Sequence, residues 1–322
     1  MKLRKTILAF VGVIMLLFLT ACGSGNEASS EIETEGSGDK KTIGVSISNL
    51  DEFLTYMQDA MKEESENHPD FEFIYSDAQN DSARQMDQIE NFITRQVDAI
   101  VINPVDTTAA VDIINMVNNA GIPIIVANRT FDGVEEATAY VGSESIQSGL
   151  LQMEEVAELL GGEGNIAIME GELGHEAQIK RTEGNVQIID EHDGLKVVHQ
   201  NTAKFDRSEG MRLMENWLNS GTQIDAIVSN NDEMALGAIL ALEAAGKLDK
   251  VLVAGIDATP AALEAMKAGK LSVTVFQDAK GQGANSIIAA VKAANGEEVE
   301  DVLVPYQLVT PDNVDEYVAK YE

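Results

Sequence analysis

The chain has 322 residues, 54 acidic against 22 basic, a formal net charge of −32 and a single cysteine. Such acidity repels nucleic acid phosphate and anionic headgroups, which excludes a DNA-binding role, and no basic arm or helix-turn-helix precedes Lys41. One cysteine excludes intrachain disulfides and cysteine-built zinc sites, and His68, His175, His192 and His199 lack metal-ligand spacing, so no metal or cofactor is expected.

In chain order, Lys2, Arg4 and Lys5 form a basic start, Ile7 to Ala21 is almost wholly apolar, and Leu19-Thr20-Ala21-Cys22 follows. A basic start, a short apolar core and small residues before a cleavage point describe a secretory signal over residues 1–21. The stretch is too short and wrongly flanked to span a membrane. The last four residues resemble the bacterial lipobox, in which the cysteine thiol takes a diacylglycerol, so Cys22 is expected to anchor the chain on the outer face of the cytoplasmic membrane. Residues 22–40 are rich in Gly, Ser and Glu without apolar periodicity and read as a flexible tether. Loss of the signal's three cations takes the charge to −35.

From Thr42 onward, strands and helices alternate. The predicted strands are 42–48, 71–76, 99–103, 123–128 and 139–142, then 165–169, 195–200, 226–229, 251–256 and 272–276. Between them, stretches such as 82–95 and 233–245 carry apolar residues at three- and four-residue spacing. Short apolar strands alternating with amphipathic helices predict an α/β fold of parallel sheets covered on both faces. An internal echo divides the series: Val97-Asp-Ala-Ile-Val-Ile-Asn103 recurs as Ile224-Asp-Ala-Ile-Val-Ser-Asn230. Two similar doubly wound lobes follow, one of residues 41–143 plus 278–305 and one of 144–277 plus 306–322, joined by crossovers near Ser143, Asp278 and 305–307.

Ligands of open parallel sheets bind beyond the carboxyl ends of the strands. The residues there are Ser48, Asp51, Glu52, Phe53, Asn103, Asp106, Asn128, Arg129, Gly171 to Gln178, Phe205, Asp206, Asn230 to Asp232, Asp257, Gln277 and Asp278. Planar amides, carboxylates and guanidinium groups each hold two hydroxyls at once, and aromatic faces cover the C–H faces of a ring. This is the chemistry of a polyol site. Trp217, amid Leu213, Met214 and Leu218, reads as packing, and His175 taken alone reads as a plain loop residue.

Those same residues carry a family resemblance. Asn230-Asn-Asp-Glu-Met-Ala-Leu-Gly237, Ile102-Asn-Pro-Val-Asp106, Val253 to Pro260 and Phe205-Asp-Arg207 resemble the type I periplasmic sugar-binding proteins of the ribose-binding group, across residues 41–322. Phe53-Leu-Thr55 with Ala60-Met61, Val273 to Asp278, and Pro305 to Pro311 are most similar to the rhizopine- and inositol-binding branch. The resemblance implies a monomeric binder that delivers a sugar or cyclitol to an ABC transporter permease. It implies contacts from Ser48, Asp51, Glu52 and Phe53 in the first lobe, with Asn128 beside a forking Arg129. From the second lobe it implies Phe205, Asn231, Asp257 and Gln277. Where the family has a ligand-binding arginine two residues before Arg181, this chain has Ile179, leaving Gln178 or His175 as replacements. The Asp51-Glu52 turn is one residue shorter than in ribose binders. Both departures point from ribose to an inositol-type cyclitol, facing Asp51, Glu52 and Asp257 with Arg129 as the single cation.

Gly162-Glu-Gly-Asn-Ile-Ala167 matches a dinucleotide fingerprint in letters alone, because a helix precedes it and a strand follows. No G-x-S-x-G, P-loop or H-E-x-x-H occurs, and Asp51-Glu52 has no facing acid at the separation a glycosidase requires. A binding protein is therefore expected rather than an enzyme. Its rival roles are presenting ligand to a chemoreceptor or sensor kinase, and binding a pentose or hexose.

Overall fold

The computed structural model describes residues 40–321. The signal segment, Cys22 and the tether up to residue 39 lie outside the described residues. The first sheet contains β1 (Lys41–Ile47), β2 (Phe71–Asp77), β3 (Ala99–Ile102), β4 (Ile124–Asn128), β5 (Ala139–Gly142) and β11 (Val302–Leu303), in the order β11-β5-β4-β3-β1-β2. All of its pairings are parallel. Successive side chains enter opposite layers. Ala99 and Val101 join Ile43, Val45 and Ile47 against helices α1 (Glu52–Ser65) and α9 (Ala279–Ala294). Ile100 and Ile102 join Ile124 and Val126 against α2 (Ser82–Thr94) and α3 (Thr107–Asn119). Burial on both faces is why these strands read as continuous apolar runs. Each fully buried isoleucine contributes about 1.5–3 kcal/mol. Gly44 is required on β1, since a Cβ there would stand 2.6 Å from the Phe92 ring.

The second sheet runs β7-β6-β8-β9, from β6 (Glu163–Glu170), β7 (Gly194–Thr202), β8 (Ala226–Ser229) and β9 (Leu252–Ala254). Helices α4 (Ser145–Leu160) and α5 (Glu176–Asp190) cover one face. The other is covered by α6 (Arg207–Ser220), α7 (Asp232–Ala244), α8 (Pro260–Lys267) and α10 (Val314–Val318). Two lobes with parallel sheets result. Trp217 is buried in the second core, its ring stacked on His199 at 5.4 Å.

The strand predicted over 251–256 ends at Ala254, and that over 272–276 starts at Thr274 as β10 (Thr274–Phe276). Pairing persists there only as single bridges, Ala254 to Val273 and Asp257 to Phe276, because Asp257 and Ala258 adopt positive φ. β12 (Gln307–Val309) pairs antiparallel with β10; it and β11 are too short to show a period and were not expected.

The chain passes between the sheets three times, after β5, after β10 and between β11 and β12. Side chains tie these passages together. Ser143 Oγ donates to the Val304 carbonyl at 2.6 Å and accepts from Gln282 Nε2 at 2.8 Å.

The internal echo is atomic. Asp98 accepts from the Thr42 N–H and Asp225 from the Asn165 N–H, each at 2.7 Å. Asn103 Oδ1 accepts from the Ser48 N–H, and Asn230 Oδ1 from the Gly171 N–H. In each lobe an aspartate opens the central strand and an asparagine closes it.

Candidate functional site

At the carboxyl ends of both sheets, loops from the two lobes enclose a cavity of about 340 Å³. That size suits a small molecule. Helix capping accounts for two of the acids in its wall, Asp51 and Asp206, and for others at the strand ends nearby. Asp51, Asp81, Asp106, Asp206 and Asp278 each accept a backbone N–H at the start of the helix that follows. A carboxylate there satisfies an orphan donor and the helix dipole together. Asp106 and Asp278, both in the predicted strand-end set, lie outside the cavity wall.

From the first lobe, Asp51, Phe53, Asn128 and Arg129 line the cavity. Burial raises the Asp51 carboxyl above its ordinary pKa, against the Leu54 N–H and the Arg129 charge. Arg129 is held by one end only: Nη1 donates to the carbonyls of Pro104 at 2.9 Å and Val105 at 3.3 Å. Burial lowers its pKa, while Asp51 and Glu172 oppose that shift. Asn128, at positive φ, lines the wall with both amide ends engaged by protein. Its Nδ2 donates to Gln282 at 2.9 Å, and its Oδ1 accepts from Asn103 at 3.4 Å.

From the second lobe come Phe205, Asn231, Asp257 and Gln277. Phe205 sits at positive φ and its ring lies over Gly171, where a Cβ would come within 2.0 Å. Asn231 caps α7, accepting from the Met234 N–H at 3.1 Å. Burial drives the Asp257 carboxyl well above its usual range; Arg181 opposes this, and Asp232, Asp51 and Glu233 reinforce it.

Arg181 is the residue the sequence reading missed. It is 5% exposed and lines the cavity, whereas Ile179 is 49% exposed on the opposite side of α5. Nη1 donates to the Asn230 carbonyl at 2.6 Å, and Nη2 donates to Gln277 Oε1 at 2.8 Å and to the Tyr306 hydroxyl at 3.2 Å. Asp257 is 3.5 Å from Nη1. A register error of two residues turns a helix position by about 200° and so exchanges its faces. Gln178, Arg181, Thr182 and Asn185 are all buried, a polar stripe at helical spacing that could have found the inward face.

Three of the residues expected at the ligand stand outside the cavity wall. Ser48 is fully buried, its hydroxyl donating to Asn103 Oδ1 at 2.6 Å. Gln178 is 6% exposed and faces inward, but its Nε2 donates to Glu170 at 2.9 Å and its Oε1 accepts from Gly174, away from the cavity. Glu52 starts α1 beyond the cap and reaches the other lobe instead of the cavity, 3.7 Å from Arg207, which is itself paired with Glu233. The single-cation expectation also fails. Arg129, Arg181 and Lys204 line the cavity against Asp51, Glu172, Glu176, Asp206, Glu233 and Asp257. His175, read as a plain loop residue, caps α5 and forms part of the wall.

Burial and a hydrogen bond to the Glu233 carboxyl push Glu52 up to about 7 from 4.5. A raised acid stabilises the folded form fully below its unfolded pKa, and that contribution is lost as pH rises through the folded value. The Glu52 contribution is thus present below 4.5 and gone above about 7. Glu52→Gln keeps a neutral side chain there and is expected to flatten the fall in melting temperature between those values. Equal slopes for the variant and the wild type would contradict this.

The cavity's donors, acceptors and rings suit a neutral, hydroxyl-rich ring, and its acids disfavour anions. A model of the periplasmic binding protein domain matches residues 43–298. A protein of Rhizobium meliloti, provisionally named a rhizopine-binding protein, is 43% identical over 87% of this chain and 93% of its own length. The ribose import binding protein of Bacillus subtilis is 33% identical over 95% of this chain and 99% of its own. A crystal structure of an ABC transporter solute binding protein from Bacillus halodurans, with bound myo-inositol, is 81% identical. It superposes with a TM-score of 0.88 over 89% of this chain and 100% of that one.

Proposed function

Because the chain belongs to the periplasmic binding protein family, we propose that it captures an inositol-type cyclitol between its lobes and delivers it to the permease of an ABC transporter. The carrying observation is that two guanidinium groups, half-buried Arg129 from one lobe and buried Arg181 from the other, reach one cavity alongside Asp51 and Asp257. Each arginine uses part of its donor set on protein and keeps its charge beside acceptors, an arrangement that orients hydroxyls without attacking them. Phe53 and Phe205 supply apolar walls from opposite lobes. The 81% identical relative with bound myo-inositol supports this ligand class, and the lower identity to the ribose binder favours it over ribose.

Each lobe holds part of the hydrogen-bond set, so the lobes-together form binds the ligand more completely than a separated form. That difference in affinity drives closure. The chain acts as a monomer and leaves its ligand chemically unchanged. A thermal-shift screen of cyclitols, pentoses and hexoses tests the ligand class, since ligand at a hundred times its Kd adds about 2.7 kcal/mol of stability. The greatest stabilisation is expected from an inositol; a pentose or hexose ranking first would sink the assignment.

Lipid anchoring rests on Leu19-Thr-Ala-Cys22. Among the described residues no helix is long and apolar enough to cross a membrane. Cys22→Ser is expected to leave the protein unlabelled by fatty acid and absent from the detergent phase. Labelling that persists in the variant would refute the anchor.

A further inference from the structure

His175, one of the two residues offered by the sequence in place of the family's arginine, caps α5 and stands in the cavity wall. Its Nδ1 accepts the Ala177 N–H at 3.1 Å, closing the first turn of α5. An Nδ1 that accepts a hydrogen bond carries no proton, so the neutral ring holds its proton on Nε2. The ring stands edge-on to Phe205, with centroids 5.3 Å apart and planes at 73°. The cap at one nitrogen and the Phe205 contact fix both the ring's tautomer and its attitude in the cavity wall.

We propose that His175 is a specificity-determining residue: a fixed donor that presents Nε2–H to an oxygen of the enclosed ligand. The inference rests on the binding function proposed above. Burial holds the imidazole pKa well below its usual value, and the charges of Arg129 and Arg181 act in the same sense. A ring kept neutral cannot serve as a cation, and with Nδ1 occupied it cannot accept. The ligand atom opposite must therefore be an acceptor, a hydroxyl or ether oxygen. An ammonium at that ring position meets a donor flanked by two arginines and is rejected, although the acids elsewhere in the cavity tolerate one.

The test is His175→Asn, because asparagine caps a helix as well as any residue but is too short to offer the distant donor. The ligand-free variant should stay folded, giving up only the edge contact with Phe205. Affinity for myo-inositol should fall roughly 5- to 150-fold, the consequence of a buried acceptor left without its donor. Nitrogen-15 spectra of the wild-type side chain should show Nε2 protonated and Nδ1 bare, with the Nε2 signal moving when ligand is added. Unchanged affinity in His175→Asn, or a proton on Nδ1, overturns the proposal. The comparison is run with whichever of myo-inositol, ribose and glucose the wild type binds tightest. A preference for a sugar then refutes the cyclitol reading separately, while the His175 result stays readable.

Discussion

Replacing Arg181 with alanine is expected to weaken cyclitol binding by about 2–5 kcal/mol and to lower the melting temperature of the ligand-free protein as well. Both effects follow from one position. Arg181 is almost fully buried and joins the Asn230 carbonyl, Gln277, the Tyr306 hydroxyl and Asp257. Removing it strands three hydrogen-bond acceptors and takes the nearest cation away from the Asp257 carboxyl. Tyr306 lies between β11 and β12 and Gln277 follows β10, so the arginine also links two of the passages between the lobes. Arg181→Lys restores the charge but not the planar fork, and is expected to recover stability more than affinity. Alanine binding as tightly as wild type would remove Arg181 from the site.

Arg129→Ala gives a different pattern: a loss of about 2–4 kcal/mol in affinity while the ligand-free fold keeps its melting temperature. The two hydrogen bonds from Nη1 go to carbonyls of Pro104 and Val105, in the loop between β3 and α3, and Asp51, whose charge Arg129 offsets, keeps the Leu54 N–H as a partner. The ligand-facing part of the guanidinium is what alanine removes. Calorimetry measures the affinity and a thermal melt the fold. A large drop in the apo melting temperature with little change in affinity would make Arg129 a structural strut.

Why some of this could be read in the sequence follows from particular residues. Central parallel strands such as β3, β4 and β8, buried on both faces, announce themselves as apolar runs, and β1 to β9 all fell within a few residues of expectation. Asp98 and Asp225 open equivalent strands, and the seven-residue echo containing them revealed the two lobes before any coordinates. Strand-end position also brought Asp51, Phe53, Asn128, Arg129, Phe205, Asn231, Asp257 and Gln277 to one cavity. What strand-end position cannot supply is side-chain direction. Ser48 and Gln178 stand at the right ends of the right elements, yet their polar atoms are engaged within the protein. Glu52 sits between two cavity residues and points across to Arg207, since consecutive positions at a helix start diverge by about 100°. Arg181 was lost to helical phase: a family position transferred two residues early landed on exposed Ile179. His175 carries no signal in composition; only the coordinates show its ring capping a helix and standing against Phe205.

The central claim is that two lobes close on a cyclitol held by Arg129 and Arg181. Titration calorimetry of the mature protein with myo-inositol, an amino-inositol, ribose, xylose and glucose tests it most directly. Tightest binding to one of the cyclitols, with loss of that binding in Arg181→Ala, is the predicted result. Tightest binding to ribose, xylose or glucose would contradict it.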